Sequence, residues 1–343
     1  MKIMYCALGP FQMSFVIKVH KQLKDSQFAE MDSTSRDQLF VRNPHLKELE
    51  DDVLFHIGIT AGDHKNLKNL FGDVKFVCMG GSTNRIKHFA KFIQGELKDY
   101  LKDDNEPLNM SKSDRYVLYK VGPVLAVNHG IGTPSLVVIM HEVLKLLHYA
   151  EAEEVKFFRI GTSGGLGLEP GTIVITRTAV NPLLEPFSEQ VILGKVLKFP
   201  SNLDEKLQKQ VMDCSDGLLT AVGDTMCAHD FYEGQGRLDG AFCDYTLEDK
   251  LEFLQKIYDA GVRNIEMESV CFASMCNRAG VPAAILCVTL VDRLKGDQVE
   301  LTPEQHEDFQ MRPPRLVARF IKKMLADQSN SCEFPLRKRQ KAN

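Results

Sequence analysis

The sequence contains no tryptophan and no closely spaced pair of cysteines. Nine cysteines occur among its 343 residues, an odd number without a CxxC motif. This pattern excludes a regular disulfide framework and favours a reducing compartment, so we predict a cytoplasmic protein. The ten histidines form no HExxH motif, and a structural zinc site is therefore not expected.

Long apolar runs and an excess of positive charge are also absent. No stretch reaches the roughly 18 apolar residues that a membrane-spanning helix needs, and 42 basic against 46 acidic residues leave a net charge of −4. No overall field would attract a nucleic-acid backbone or an anionic membrane, so we predict neither partner. The mildly apolar start of the chain is interrupted by Gly9 and Pro10 with no small-residue cleavage site after them, and we do not predict secretion.

Hydrophobic residues make up 44% of the chain and charged residues 26%, which is typical of a globular protein. Strand-like and helix-like segments alternate from about Val53 onward, which predicts a single α/β domain whose sheet is covered by helices. We predict a weakly structured N-terminal arm over residues 1–50, this domain over 51–328, and a disordered basic tail over 329–343. A nuclear-localisation signal is the alternative for the tail.

The predicted elements follow from apolar runs bounded by glycine, proline and capping residues. Thr133 and Pro134 are expected to cap one helix, Gly122-Pro123 to turn a hairpin, and Gly161 to Gly165 to break a central strand. Strands are predicted over residues 74–79, 116–120, 124–127, 155–160, 172–176, 222–227, 264–267 and 283–289, and helices over 135–149, 247–260, 269–278 and 315–326.

Ligands of open α/β sheets bind at the carboxyl ends of strands, and the segment Gly80-Gly81-Ser82-Thr83-Asn84-Arg85 follows one. Paired glycines let a backbone approach a ligand, and exposed N–H groups with Arg85 at a helix start suit an oxyanion. An ordinary tight turn with a surface arginine is the alternative. Cys78 just before it is interpreted as buried packing, since no partnered base is evident, and His56 as a structural histidine.

Arg159 ends an otherwise apolar run, where a charge is costly to bury without an anionic partner. We therefore interpret it as a ligand-binding residue rather than a structural one. The glycines that follow it lack the GxGxxG spacing and lead into a strand, so a dinucleotide-binding motif is disfavoured.

Phe231, Gln235 and Arg237 lie in one polar segment. Gln235 and Arg237 are two residues apart, hence on one side of an extended chain. An amide beside a guanidinium matches a ring edge that presents C=O, N–H and C=O, as uracil does. An ordinary polar loop is the alternative.

Glu266, Met267 and Glu268 stand where a strand passes into a helix. Alternation places both carboxylates on the same side of the chain, where they would bind ribose hydroxyls with the methionine against the sugar. The alternative for Glu268 alone is complementation of a helix dipole.

Together these motifs resemble the vertebrate-type uridine phosphorylases of the nucleoside phosphorylase-I family. The similarity extends over about residues 50 to 325 and rests on the blocks GGSTNR, HGIGTPS, RIGTSGGLGLEPGTIVIT, GDTMCAHDFYEGQGRLDGAF and AGVRNIEMESVCFASMC. It implies a mixed, distorted barrel-like central sheet flanked by helices, and a homodimer with shared active sites. Thr83 departs from the family's usual proline, which would loosen the phosphate loop.

The resemblance also assigns roles to single residues. It implies a phosphate site of Gly81, Arg85, Arg159 and Thr162 with Arg115 contributed across the dimer, a base site of Phe231, Gln235 and Arg237, and a ribose site of Glu266, Met267, Glu268 and, across the dimer, His56. Gln235, Arg237 and Arg159 would be catalytic. No metal or cofactor is implied, inorganic phosphate being a co-substrate.

The sequence thus predicts reversible phosphorolysis of uridine to uracil and ribose 1-phosphate. A purine nucleoside phosphorylase, a hydrolytic nucleosidase and a catalytically silent nucleoside-binding protein are the alternatives. Use of deoxyuridine or thymidine stays open.

Overall fold

The structure, a computed structural model, describes residues 39–49, 51–101 and 105–331, with side chains described through Ser329. Most of the predicted N-terminal arm and most of the basic tail lie outside the described residues. Of the arm, Leu39 is buried in the core and the Phe40 N–H donates to the Ala279 carbonyl, 2.9 Å away. No helix in the described ranges is both long and apolar enough to cross a membrane.

The described chain forms twelve strands, seven α-helices and three short 3-10 helices. The strands are β1 (Val53–Leu54), β2 (Ile59–Thr60), β3 (Phe76–Gly80), β4 (Leu118–Val121), β5 (Val124–Asn128), β6 (Lys156–Gly165), β7 (Ile173–Val180), β8 (Phe187–Ile192), β9 (Lys195–Pro200), β10 (Thr220–Cys227), β11 (Val262–Glu266) and β12 (Ala283–Asp292). The helices are α1 (His64–Phe71), α2 (Thr83–Glu96), α3 (Gly132–Tyr149), α4 (Glu205–Met212), α5 (Leu247–Asp259), α6 (Ser269–Ala279) and α7 (Pro303–Ser331). The 3-10 helices are Pro44–Glu48, Lys98–Tyr100 and Glu233–Gln235.

Eight strands form one mixed sheet in the order β11-β10-β7-β12-β6-β3-β5-β4. The end of β6 also pairs antiparallel with β11, through Ile265 opposite Gly164 and Asn264 opposite Gly165. This extra pairing closes β11, β10, β7, β12 and β6 into a five-stranded barrel, while β3, β5 and β4 continue as an open sheet. The predicted barrel-like mixed sheet with flanking helices is confirmed.

The strand β6 continues through the glycines that were expected to end it. Residues Gly161 to Gly165 pair with β12 on one side, so the predicted break is wrong. The glycines serve close packing instead: a Cβ atom on Gly164 would lie 2.7 Å from Cγ of Arg293, and one on Gly165 would lie 2.8 Å from Cγ2 of Thr289. A glycine cluster in a strand therefore marks here a close approach of neighbours.

Other boundaries also differ from the prediction. The helix α3 begins at Gly132 rather than after Thr133, and the Gly132 N–H donates to the Glu268 carboxylate from elsewhere in the fold. The final helix was predicted over 315–326 but begins at Pro303 and contains Pro313 and Pro314, although proline inside a helix removes a backbone hydrogen bond. The hairpin of β8 and β9, half-exposed along its length, and the helix α4 were not predicted.

Helices cover the sheet on both faces. One core packs α1, α3 and α6 against the sheet, and the other packs α2 and α7 against the opposite face. As expected of a helix that is apolar on most sides, α3 lies buried between the sheet and other helices. This packing fixes the strand ends on which the candidate site is built.

Candidate active site

The carboxyl ends of β3, β5 and β6 lie side by side because these strands run parallel. Gly80 ends β3 and Gly81 follows it, His129 follows β5, and Arg159 and Thr162 lie on β6. The His129 N–H donates to the Gly80 carbonyl at 2.9 Å. The topology thus collects several polar residues that are far apart in sequence at one edge of the sheet.

The glycine loop after β3 presents an arginine without a carboxylate partner. Ser82 caps α2 by accepting the Arg85 N–H at 3.2 Å, and its hydroxyl also accepts from Arg85 Nε at 3.3 Å. Arg85 Nη1 lies 3.5 Å from the Thr162 hydroxyl. Arg85 makes no ion pair with any residue the structure describes. Burial, and then repulsion from Arg159, lower the pKa of Arg85, so an anion bound there would relieve both penalties.

The absence of a side chain at Gly81 avoids crowding of Arg85. A side chain there would begin 3.1 Å from Arg85 Nη2 and 3.3 Å from the Gly130 carbonyl. Thr83 is the first residue of α2, where proline is equally acceptable because the first N–H groups of a helix have no internal partner. The cap made by Ser82 is intact beside it. That Thr83 loosens this loop stays a prediction.

Arg159 is almost fully buried, and two carboxylates converge on it. Its Nη2 lies 2.8 Å from Glu266 and also contacts Glu268, while Nη1 lies 3.0 Å from the Cys287 sulfur. Burial opposes the charge of Arg159, but Glu266, Cys287 and Glu268 outweigh it and raise its pKa. The predicted convergence of the two glutamates on one side is therefore found, with an arginine between them.

The two glutamates have different surroundings. Glu266 accepts the backbone N–H groups of Glu268 and Ser269 at about 3.0 Å and so caps α6. Burial raises its pKa. Glu268 accepts the Gly132 N–H at 2.6 Å. Burial opposes ionisation of Glu268 as well, but the charge of Arg159 and the hydrogen bond from the Gly132 N–H lower its pKa. Glu268 is therefore the carboxylate that is held ionised. Met267 lies between the two glutamates in the sequence.

His129 was missed by the sequence analysis. It is 1% exposed, and neither ring nitrogen has a hydrogen-bond partner within the described residues. Burial, and then the positive charge of Arg159, lower its pKa to about 3, so the imidazole is neutral. A single histidine does not form a recognisable sequence motif. Its position directly after a buried strand was the signal that could have indicated it.

The base-site residues lie on a loop that is not extended. Gln235 ends the 3-10 helix Glu233–Gln235, and Gly236 follows with a left-handed φ of 62°. The prediction that Gln235 and Arg237 lie on one side of an extended segment is therefore wrong, although both residues are buried. Arg237 stacks on Phe231 at 4.4 Å and bonds Asp239 through Nε and Nη2 at 2.8 and 2.6 Å. The Asp239 hydrogen bonds raise the pKa of Arg237 despite burial.

Arg293, just after β12, is a second residue that the sequence analysis missed. It is 1% exposed and donates to the Gln235 backbone carbonyl at 2.8 Å, with Nη1 3.5 Å from the Gln235 side-chain oxygen. Its Nε bonds Asp297 at 2.9 Å, which also pairs with buried Lys250 at 2.8 Å. A charge following an apolar strand, the signal used for Arg159, was present here too.

His56 and Arg115 stand apart from the rest. His56 Nδ1 lies 2.7 Å from Glu142, and its ring is about half exposed. Arg115 is exposed, and the two loops touch where the Lys112 N–H donates to the Ile57 carbonyl at 2.9 Å. No hydrogen bond or ion pair joins either side chain to Arg85, Arg159 or Glu268 within one chain. Their predicted roles therefore depend on a second chain.

Two further expectations concern metals and thiols. No cluster of three or more His, Cys, Asp or Glu side chains that could hold a metal occurs in the part of the chain described here. Cys78 is fully buried, and burial raises its thiol pKa. Packing, rather than nucleophilic chemistry, accounts for its position.

The family model of the Phosphorylase superfamily matches residues 75–326 of this chain. A mouse protein named uridine phosphorylase 2 is 48% identical over 292 residues, covering 84% of this chain and 90% of the mouse protein. A Schistosoma mansoni protein, 42% identical over 285 residues, covers 82% of this chain and 95% of its own and is named inactive uridine phosphorylase B. Similarity of this degree therefore also extends to a relative that is named inactive.

Solved structures match over the same region. One from Phytophthora capsici, described as one of two diverse uridine phosphorylases, superposes with a TM-score of 0.81 at 47% identity and covers 84% of this chain and 99% of its own. A Schistosoma mansoni uridine phosphorylase in complex with uracil superposes with a TM-score of 0.77 at 43% identity, covering 82% of this chain and 98% of its own.

Proposed function

Because this chain belongs to the phosphorylase superfamily and matches uridine phosphorylases along most of its length, we infer that it catalyses the reversible phosphorolysis of uridine to uracil and ribose 1-phosphate. The observation that carries the inference is Arg85. It is a largely buried guanidinium without a carboxylate partner, next to an arginine that two glutamates hold. Such an arrangement favours binding of an external anion.

Phosphate would bind among Gly81, Arg85 and Thr162, close to Arg159. We propose that Arg115 of the partner subunit completes this site. Holding the phosphate nucleophile beneath C1′ makes the reaction of two molecules effectively intramolecular. Positioning of this kind lowers the activation free energy by up to about 7–11 kcal/mol. These ligand contacts are part of the proposal and follow from the positions of the side chains.

Glu268 would bind the ribose 2′ and 3′ hydroxyls. Its carboxylate is ionised and oriented by Arg159 and by the Gly132 N–H, so it is prepared to accept hydrogen bonds. Glu266 is occupied by the start of α6, and its role in the site is then to hold Arg159. Met267 would pack on the sugar.

The leaving base gains negative charge as the glycosidic bond breaks. Arg237 uses Nε and Nη2 for Asp239, which leaves Nη1 to donate to a pyrimidine carbonyl. The Gln235 oxygen faces Arg293, so its amide nitrogen is free to donate to a second carbonyl. Donors that strengthen as charge develops raise turnover rather than affinity alone.

We further propose a homodimer in which each site takes His56 and Arg115 from its neighbour. Both residues are exposed, and their loops touch where the Lys112 N–H donates to the Ile57 carbonyl. Phe55, which precedes His56, is 75% exposed. The Glu142 carboxylate bonds His56 Nδ1, which leaves Nε2 to meet the ribose 5′ hydroxyl. We propose no cofactor, and a reducing compartment such as the cytoplasm is supported by seven described cysteines that are all unpaired.

The test is to incubate the purified protein with uridine and follow ultraviolet absorbance with and without phosphate. Cleavage that requires phosphate and releases ribose 1-phosphate is expected. Cleavage without phosphate would indicate a hydrolase, and turnover of inosine in preference to uridine would indicate a purine enzyme. Binding without turnover would place the chain with the relative that is named inactive.

A further inference from the structure

His129 is a buried polar side chain that the contacts of the folded chain do not satisfy. Its backbone is fixed at both ends, since its N–H donates to Gly80 and its carbonyl accepts the Ser135 hydroxyl at 2.7 Å. Its ring is 1% exposed, and neither Nδ1 nor Nε2 has a partner among residues 39–49, 51–101 and 105–331. Buried nitrogens without partners are unfavourable, so they indicate a ligand that supplies the missing hydrogen bonds.

The ring faces the place where an anion is expected. Its carbon Cε1, which lies between the two nitrogens, is 3.8 Å from the point where a side chain on Gly81 would begin. The same point is 3.1 Å from Arg85 Nη2. The Cε1 corner of the imidazole, with a nitrogen on either side of it, therefore lies beside Gly81 and close to the Arg85 guanidinium.

The charge state of the ring determines what it can recognise. Burial and the cations Arg159 and Arg85 keep the imidazole neutral, against the opposing effects of Glu268 and the Gly130 carbonyl. A neutral imidazole has one N–H donor and one acceptor nitrogen. An acceptor nitrogen requires a ligand that carries a hydrogen on oxygen. Inorganic phosphate keeps at least one proton near neutral pH, whereas sulfate keeps none.

We propose that His129 is a further phosphate-binding residue, whose unprotonated ring nitrogen accepts a hydrogen bond from the protonated phosphate oxygen. It would thereby favour phosphate over sulfate in a site where two arginines attract both. The proposal rests on the proposed function for the identity of the anion, but it concerns binding and does not require turnover.

The experiment measures anion binding to the protein without nucleoside, by titration calorimetry and by anion-dependent thermal stabilisation. His129→Leu should raise the Kd for phosphate by about 10- to 100-fold, the loss expected for hydrogen bonds to a charged group. The Kd for sulfate should rise less, so that the preference for phosphate narrows. His129→Gln, which keeps a donor and an acceptor, should restore part of the phosphate affinity.

Two controls keep the outcome clear. His88→Leu, on the exposed face of α2, should leave both affinities unchanged, and the melting temperature without anions shows whether each variant is folded. An unchanged Kd for phosphate in folded His129→Leu, or an equal loss for phosphate and sulfate, overturns the proposal. If the wild-type protein binds phosphate but does not cleave uridine, the proposed reaction fails while this inference is still tested.

Discussion

The two halves of the site hold their charges in different ways. In the half proposed to bind phosphate and ribose, formed by Arg85, His129, Arg159, Glu266 and Glu268, the residues come from distant parts of the chain and the charges of the arginines and glutamates act on one another. In the base half, formed by Phe231, Gln235, Arg237 and Arg293, aspartates near in sequence pair with the arginines. Function and stability are therefore coupled in the first half and more nearly separable at Gln235 and Arg237 in the second, where the partner of Arg237 is partly exposed.

The coupling follows from burial. The side chains of Arg159 and Glu266 are 3% and 2% exposed, whereas that of Asp239, the partner of Arg237, is 30% exposed. Removing one partner of a buried ion pair leaves an uncompensated charge, which costs about 3–5 kcal/mol, but exposed pairs contribute about 1 kcal/mol or less. Substitutions in the two halves should consequently differ in their effect on folding even where they abolish the same activity.

The largest effect is expected for Arg159→Met. The variant should lose uridine turnover and about 3–5 kcal/mol of unfolding free energy at neutral pH, because Glu266 and Glu268 remain buried without their cation. The folded-state pKa of these carboxyls would then lie above the unfolded value, so stability present at acid pH is lost as the pH rises through the folded pKa. Urea unfolding at several pH values measures this, and a loss independent of pH would contradict it.

A large loss of activity with little loss of stability is expected for Gln235→Ala. Turnover of uridine should fall about 100- to 1,000-fold, as for loss of one donor to a developing negative charge, while unfolding free energy changes by about 1 kcal/mol or less. The preference for uridine over inosine should narrow as well. Steady-state kinetics with both nucleosides and thermal unfolding provide the measurements. Unchanged kinetics would remove Gln235 from the base site.

Arg115→Ala extends the comparison to the neighbouring subunit. The variant should be inactive but stable, because Arg115 is exposed in its own chain. Mixed with Gln235→Ala protein and allowed to exchange subunits, it should regain about a quarter of wild-type activity, since half of the dimers are hybrids and one of their two sites is intact. Hybrids that stay inactive would contradict shared sites.

The smallest effect is expected for Asp239→Asn. Hydrogen bonds from Arg237 lower the pKa of this carboxyl despite some burial, so its contribution to stability is present above the unfolded pKa and is lost as the pH falls through the folded pKa. The variant should lose less than about 1 kcal/mol at neutral pH and nothing at strongly acid pH. Its KM for uridine should rise a few-fold through a less constrained Arg237. A loss as large as that of Arg159→Met would erase the contrast between the halves.

The sequence predicted the parts of the fold and site that local patterns encode. Arg159 was found because a charge ends an apolar run, and Glu266 and Glu268 because a strand meets a helix there. The barrel-like sheet came from the resemblance. The loop of Gln235 was placed correctly in the chain but with the wrong backbone, since a 3-10 turn and a left-handed glycine cannot be derived from a spacing of two residues.

What the sequence did not predict depends on contacts between distant segments. His129 and Arg293 each follow a strand, but their importance comes from a neighbouring loop that lies more than 40 residues away. The glycines of β6 suggested a turn because the atoms that exclude a side chain there belong to Arg293 and Thr289. Such exclusion is a property of packing and has no local sequence pattern.

The strand β6 passes through both halves, because Arg159 and Thr162 lie on it and Arg293 packs on its Gly164. Five residues of extended chain span about 16 Å, so the backbone itself sets how far the anion and the heterocycle can stand from each other. Adaptation to a longer or shorter substrate would then have to arise in the flanking loops, because an insertion in β6 would break the closure of the barrel.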